Sequence, residues 1–334
     1  MAKCLVTKLS GTVNNGNLLR LGEIRIGMKP HSSPNIYNSS FMIKASKEIK
    51  LEIIGNGYFS NYTLTENHGK TMTIPANEET DVFVSNGDYQ IAILGVYYIT
   101  KLHFHGNSVA GTDSTQRSIN INDLSRAKGL ESLDISTASN VSGDLSSLST
   151  LVNLNNLILS TTNITGDFSS LKNLVKLTNL VLENSKKMSG DISSFAAMTL
   201  LKTLRIECSN QVYGNIDSLQ NLSECKAISI RYGSLSGDMA LAPAKLKFIS
   251  LLYGYDTQFT WSTRPSYSTI FGMEGTMSFR DTDVMLKGIA SCQAVSDATG
   301  AEKVIAIQGT RTSASDEAVA TLQGKGYTIS ISKA

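Results

Sequence analysis

The stretch "NITGDFSSL" at residues 163–171 decides the fold, because the chain repeats it with small changes. Each copy keeps a glycine, a short polar residue and an apolar residue in that order, and successive glycines are 23 or 24 residues apart. The other copies are "NVSGDLSSL" from Asn140, "KMSGDISSF" from Lys187, "VYGNIDSL" from Val212 and "SLSGDMAL" from Ser234. A unit of this length cannot bury its own apolar residues, so the period predicts stacked units that share one core, a solenoid.

Each repeat also contains a strand signature before the glycine. Positions 1, 4 and 6 of each unit are apolar, and the alternation at positions 4 to 6 is typical of a strand with one buried face. The units begin 24, 23, 24, 24 and 21 residues apart. They are "LESLDI" from Leu130, "LNNLIL" from Leu154, "LTNLVL" from Leu177, "LKTLRI" from Leu201, "CKAISI" from Cys225 and "LKFISL" from Leu246.

The glycine predicts a corner, because glycine permits the backbone turn by which the chain leaves the strand layer. The Asp and Ser that follow can accept bonds from the free amides of a short helical return. An alternative for Asp144, Asp167, Asp191 and Asp238 is a calcium ladder, since a cation would relieve the repulsion between stacked carboxylates. Against it, Asn215 interrupts the column and one Asp per turn is a thin ligand set.

The repeat resembles the leucine-rich-repeat pattern "LxxLxLxxNxLxGxI" over residues 99–261, and its glycine half resembles the plant-type variant. The resemblance implies an α/β solenoid with a parallel β-sheet along one side. One position departs from the family pattern. In that pattern, position 9 is an Asn that forms a buried ladder of hydrogen bonds, and here other residues replace it. Hydroxyl side chains can form such a ladder only in part. The replacements are Ala138, Thr162, Ser185, Ser209 and Gly233.

The two ends differ from the repeats. Residues 1–96 read as an antiparallel β domain, in which Asn86-Gly87 predicts a hairpin turn. Residues 97–262 form the solenoid, and residues 263–334 form β/α units that cap its open end. In the last unit, Ser313 and Asp316 predict a capping box and Gly326 predicts the end of the helix.

Composition excludes several functional classes. The net charge of +2 over 334 residues predicts no binding to nucleic acid, and no segment has the apolar length for membrane insertion. The start of the chain has no apolar run typical of a signal peptide. The four cysteines, which form no CxxC, are predicted to be free thiols.

The sequence predicts no catalytic residue, metal site or cofactor, and therefore no enzyme. The best metal candidate is His103 with His105, which point to the same side of a strand and could join Asp134 in a zinc site. Asp134 with Glu131 could instead be a carboxylate pair that cleaves glycans. Such side chains on a repeat sheet are more often solvated surface groups.

A binding surface is the better supported prediction. Positions 2, 3, 5, 7 and 8 of each unit face the side that is concave in such solenoids, and they become basic and aromatic along the stack. Aromatic residues beside arginine are common anchors of interfaces and also stack on sugars. The candidates are Lys202, Arg205, Lys226, Arg231, Tyr232, Lys247 and Tyr253. Alternatively, Tyr253, Tyr255 and Trp261 shield the end of the core.

The whole chain resembles a recurrent type of protein from gut Bacteroidales and their tailed, crAss-like phages, through its start "MAKCLVTKLSGTV", its repeats and its tail "TRTSASDEAVATLQGKGYTISI". The resemblance implies a virion fibre or decoration protein, assembled in the host cytoplasm, in which the β domain of residues 1–96 anchors the chain. Its partners would be other virion proteins or a host-surface protein or glycan, and it could be a homotrimer. The alternative is a bacterial surface adhesin or interaction module with the same fold.

Overall fold

The structure, a computed structural model, describes residues 25–28, 39–55, 70–84, 89–105, 117–136, 141–185, 187–252 and 258–333. Their buried apolar side chains form one continuous cluster from Ile43 to Tyr327. The shared core that the repeat period predicts is therefore present, and it extends beyond the repeats at both ends.

The N-terminal part consists of strands, as predicted. Alternating apolar residues such as Leu51 and Ile93 are fully buried on one face of them. The strands are β1 (Arg25–Met28), β2 (Ser39–Ala45), β3 (Ile49–Gly55), β4 (Lys70–Ile74), β5 (Glu79–Val84) and β6 (Tyr89–Leu94).

Each repeat contributes a strand, a second strand segment that ends at or just before the corner, and a short 3₁₀ helix that follows the corner; in β15 and β16 the two strand segments are continuous. The strands are β7 (Ile99–His105), β8 (Arg117–Asn120), β9 (Ser132–Ser136), β10 (Val141–Asp144), β11 (Asn156–Ser160), β12 (Asn163–Asp167), β13 (Asn179–Glu183), β14 (Met188–Asp191), β15 (Thr203–Asn215) and β16 (Ala227–Ser236). The 3₁₀ helices are Ile121–Arg126, Leu145–Leu148, Phe168–Leu171, Ile192–Phe195, Ile216–Leu219 and Met239–Leu241.

The C-terminal part adds longer units with two α-helices, as predicted. Its elements are β17 (Phe248–Leu252), β18 (Gln258–Phe259), β19 (Gly272–Gly275), β20 (Ser278–Phe279), α1 (Thr282–Ala290), β21 (Val304–Gln308), α2 (Asp316–Gly324) and β22 (Thr328–Ser332). Further 3₁₀ turns are Val96–Tyr98, Gly300–Lys303 and Ser313–Ser315.

The strands form two long rows. The first row, which we call the long sheet, has the order β5-β2-β7-β9-β11-β13-β15-β16-β17-β19-β21-β22. The second row, the short sheet, has the order β4-β3-β6-β1-β8-β10-β12-β14 and then the second halves of β15 and β16. Pairing is antiparallel among the N-terminal strands and parallel along the repeats, so the predicted fold class is confirmed.

The N-terminal strands continue both rows. β7 pairs antiparallel with β2 on one side and parallel with β9 on the other, while β1 pairs antiparallel with both β6 and β8. Each sheet therefore changes from antiparallel to parallel without a break at this junction. The domain boundaries at residues 96 and 262 stay predictions.

The corner glycines carry a constraint that stacking imposes. Their φ angles lie between 111° and 136°, a region that L-residues with side chains rarely adopt. In addition, a Cβ on Gly190 would lie 2.8 Å from Asp167 Oδ2 and 3.0 Å from the backbone nitrogen of Phe168, both in the preceding unit. The glycine is thus required by the turn and by the unit below it. The corners are Gly143, Gly166, Gly190, Gly214 and Gly237.

The C-terminal cap is closed by a buried arginine and by aromatic packing. Arg264 is 4% exposed, and its guanidinium donates to the carbonyl oxygens of Ala240, Ala242 and Pro243 at 2.7–3.0 Å. Burial lowers the pKa of Arg264, and the neighbouring Cys292 opposes part of that shift. The Trp261 ring stacks on Phe271 with centroids 6.3 Å apart.

Two local predictions at the ends are wrong. The strands that flank Asn86-Gly87 do not pair as a hairpin: β5 pairs with β2, and β6 pairs with β3 and β1; the turn itself lies outside the described residues. Ser313 lies inside a 3₁₀ turn that Thr312 caps, so the predicted capping box with Asp316 does not form. Because this 3₁₀ turn precedes α2, the unpaired amides at the start of α2 follow Ser315, and Ser313 is not placed to accept hydrogen bonds from them.

The predicted end of the last helix is confirmed. Gly326 has a φ of 84°, and its amide donates to the Gln323 carbonyl oxygen. The Tyr327 amide donates to the Leu322 carbonyl oxygen, which completes a Schellman motif.

We expect Gly190→Ala to lower the free energy of unfolding by about 1–3 kcal/mol, because alanine would adopt a strained φ and clash with the preceding unit. Urea unfolding followed by circular dichroism measures this. Gly324→Ala is the matched control, since nothing lies within 4 Å of its Cβ position and its φ is not positive. Equal effects of both substitutions would contradict the stacking constraint.

The thiols of the described residues are buried. Cys208, Cys225 and Cys292 are free cysteines, and burial raises the pKa of Cys208 and of Cys225 to about 12. Because the thiolate is the reactive form, these two thiols should react slowly while the protein is folded.

Cys4 lies outside the described residues, so the test uses a Cys4→Ser variant. In this variant Cys208 and Cys225 should be labelled slowly by a thiol reagent at pH 8 and rapidly in denaturant. Mass spectrometry of labelled peptides measures the extent at each site. Rapid native labelling at either site would contradict the burial described above.

Candidate recognition face

The outward side of the long sheet, the side predicted to be concave, carries a ladder of side-chain hydrogen bonds. His103 Nε2 lies 2.9 Å from Ser132 Oγ, and Asn156 Nδ2 donates to the same oxygen at 3.0 Å. Asn179 Nδ2 then donates to Asn156 Oδ1 at 2.8 Å. These bonds join β7, β9, β11 and β13, so we call this set the polar ladder.

The polar ladder was missed by sequence reasoning, although a signal for it exists. Ser132, Asn156 and Asn179 all occupy position 3 of successive units, and parallel pairing in register places them side by side. Small polar residues at one outward position of successive repeats can therefore bond across strands. Periodicity alone shows that they are adjacent, but not how they orient.

Ion pairs continue the order on the next strands. Arg205 pairs with Glu183, and Arg231 Nη1 lies 3.2 Å from Glu207 Oε2. Each arginine reaches back to the strand that precedes its own, where the glutamate side chain is only 18% or 15% exposed. Surface ion pairs add little stability, but these hold two guanidinium groups in defined positions.

An apolar strip lies at the middle of this face. Ile158 and Val181 are neighbours on β11 and β13 and are both half-buried at position 5. Asp134 occupies the same column on one side of them, and Arg205 occupies it on the other. The strip is therefore flanked by an acidic and a basic side chain.

The three predicted lysines form a row at position 2. Lys226 N donates to Lys202 O, and Lys247 N donates to Lys226 O, both at 2.9 Å, so the residues stand one strand apart, about 5 Å. Lys202 and Lys226 are exposed. Lys247 Nζ lies 2.7 Å from Asp297 Oδ2, and this bond raises the pKa of Lys247.

The aromatic candidates are placed only in part. Tyr232 is half-buried and has a φ of 59°, a left-handed conformation that Thr161 and Asn184 share at the same position of their units. Tyr253 and Tyr255 lie outside the described residues. Trp261 is 8% exposed and packs in the core, as its alternative interpretation predicts.

The residues considered above for a metal site or a catalytic pair do not form such a cluster among the described side chains. Asp134 accepts a bond from Ser136 Oγ at 2.6 Å, and His103 belongs to the polar ladder; the side chain of His105 is outside the described set. In the part of the chain that the structure describes, no three His, Cys, Asp or Glu side chains come together as metal ligands would.

The corner carboxylates act as helix caps. Each accepts a hydrogen bond from the amide two residues later, and Asn215 accepts the same bond from Asp217 at 2.9 Å. Asn120 is a further cap that sequence reasoning missed, although the Ile121–Leu124 pair that follows it matches the repeat. The capping residues are Asn120, Asp144, Asp167, Asp191, Asn215 and Asp238.

No family model matches the chain, and no curated protein matches it. Among solved structures, an internalin from Listeria monocytogenes is similar, with 20% identity and a TM-score of 0.40, over 70% of this chain and 68% of that one. A plant ice-binding protein has 20% identity and a TM-score of 0.39, over 57% of this chain and 62% of that one.

The leucine-rich-repeat ectodomain of a membrane receptor kinase from Arabidopsis thaliana has 19% identity and a TM-score of 0.43. The match covers 64% of this chain but only 25% of the receptor chain. These structures resemble this chain in fold alone. Within the described residues, no helix has the length and apolar character needed to cross a bilayer.

Asp144 allows a test of capping against charge. We expect Asp144→Ala to cost about 1 kcal/mol and Asp144→Asn to cost much less, because Asn215 shows that an amide caps the same turn. Bonds from Ser146 lower the pKa of Asp144, so its contribution as a charge is present above about pH 4. That contribution is lost as the pH falls through the folded-state pKa.

Urea unfolding of the three proteins at pH values from about 2.5 to 7, which span the titration of carboxylates, measures both effects. The wild type should lose more stability than Asp144→Asn on acidification. A large stability loss for Asp144→Asn at pH 7, together with stabilisation by added calcium of the wild type but not of Asp144→Asn, would instead favour the cation ladder.

Proposed function

We propose that the protein is a non-enzymatic recognition module that binds another protein through the outward face of the long sheet. The observation that carries this proposal is the order of that face: the polar ladder and the two arginine–glutamate pairs fix polar groups across consecutive strands. Side chains held in place before binding lose less conformational entropy when a partner docks.

The composition of the face favours a protein partner. The Ile158–Val181 strip offers apolar area, and the polar groups around it offer hydrogen bonds, as the centre and rim of protein interfaces do. The exposed Lys202 and Lys226 favour an acidic segment beside the strip. Sugar binding would depend more on exposed aromatic rings; of the described aromatic candidates, Tyr232 is half-buried and Trp261 is buried in the core.

We further propose that the protein is a fibre or decoration component of a tailed-phage virion. The support is the resemblance of its first residues, repeats and tail to proteins of gut Bacteroidales and their phages. In this setting the N-terminal strands would anchor the chain, and the solenoid would present its face to another virion protein or to the host surface.

Mass spectrometry of purified phage particles from the source community tests the proposed virion role. Peptides of this chain in intact virions are the expected result. Their absence from particles, together with detection in the bacterial surface fraction, would contradict the virion role and favour the alternative, a surface adhesin.

Site-specific photocrosslinking tests the face. A photoreactive phenylalanine at Ser229, which lies at position 5 between Arg205 and Ser250, should crosslink to a second protein in intact particles or cells. The same group at Ser234, which is exposed on the short sheet, is the matched control. Crosslinks from Ser234 alone, or crosslinks to glycan alone, would contradict protein recognition by this face.

A further inference from the structure

Among the strands that the structure describes, the last one of the long sheet lacks the usual protection of an edge. β22 pairs with β21 on one side, and no other described strand pairs with it. The strand at the opposite end of the sheet, β5, carries Glu79 and Asp81, whereas β22 reads "TISIS" with neither charge nor proline. Natural proteins usually blunt exposed edges with such residues, because a bare edge pairs with other strands.

The core is also unfinished at this edge. Ile305 and Ile307 on β21 are 0% and 2% exposed, and they complete the apolar columns of positions 4 and 6. Their neighbours on β22, Ile329 and Ile331, pack against the core but remain only half-buried. A further strand beside β22 would bury the remainder of both side chains.

The backbone hydrogen bonds between β21 and β22 show which N–H and C=O groups of β22 can pair with a further strand. The Gly309 amide donates to the Ser332 carbonyl oxygen at 2.9 Å, so the backbone groups of Ser332 face β21. In a parallel pair this orientation alternates, which turns the N–H and C=O groups of Ile329 and Ile331 towards the free edge.

We propose that two copies of the protein pair antiparallel through β22, around a two-fold axis at Ser330. In this register Ile329 of each copy faces Ile331 of the other, and the outward backbone groups of each pair exchange both of their hydrogen bonds. Thr328 faces Ser332, and Ser330 faces its own counterpart, so the strand complements itself. A second copy is therefore the occupant that the edge fits best, and a two-fold interface closes without further growth.

Charge at Ser330 tests the pairing, since the two Ser330 side chains would be direct neighbours. Sedimentation velocity should show the wild type as a dimer, and Ser330→Lys and Ser330→Glu should each raise the dissociation constant by about tenfold or more. An equimolar mixture of the two variants should restore dimers, because opposite charges then face each other.

Ser229→Lys is the matched control, because it adds the same charge in the same column of the same face, four strands inside the sheet. It should leave the dimer unchanged. A monomeric or trimeric wild type, a dimer insensitive to Ser330→Lys, or a mixture that stays monomeric would each overturn the proposal.

Discussion

The contact between each corner glycine and the cap of the preceding unit governs the rest of the structure. Where a side chain on the glycine would lie, the space is occupied by the carboxylate or amide of the preceding unit. That same carboxylate or amide caps the 3₁₀ helix of its own unit. Units can therefore stack only with their corners aligned. That alignment brings equivalent strand positions side by side, and it is the reason that position 3 can form a ladder and position 4 a continuous buried column.

The N-terminal strands extend this stack with a different connectivity. Because β2 and β1 add to the two sheets in antiparallel fashion, the first repeat meets paired strands where it would otherwise end in bare edges. Stacked repeats need such closure at each end, since their terminal layer otherwise exposes apolar columns. The other end uses helices, Arg264 and an aromatic cluster for the same purpose, but leaves its last strand half-covered.

Much of this could be predicted from the sequence where one residue type has one physical role. Glycine at a fixed period indicated the corners, and the Asp after it indicated the caps. The partial replacement of the Asn ladder is confirmed by the bond between Thr162 Oγ1 and Ser185 Oγ, at 3.0 Å. The Asn86-Gly87 hairpin failed because pairing over long distances outweighed a local turn signal, and the ladder bonds and ion pairs were missed because rotamers are not encoded in a period.

The position of Trp261 has a consequence for spectroscopy. It is the single tryptophan of the chain, and its indole packs against Phe271, Phe279 and the backbone of Gly288 in α1. Its fluorescence therefore reports on the C-terminal cap alone, whereas far-ultraviolet circular dichroism averages over all the strands. Comparing the two signals during denaturation distinguishes detachment of the cap from melting of the repeats, a distinction that a solenoid with nearest-neighbour contacts makes physically meaningful.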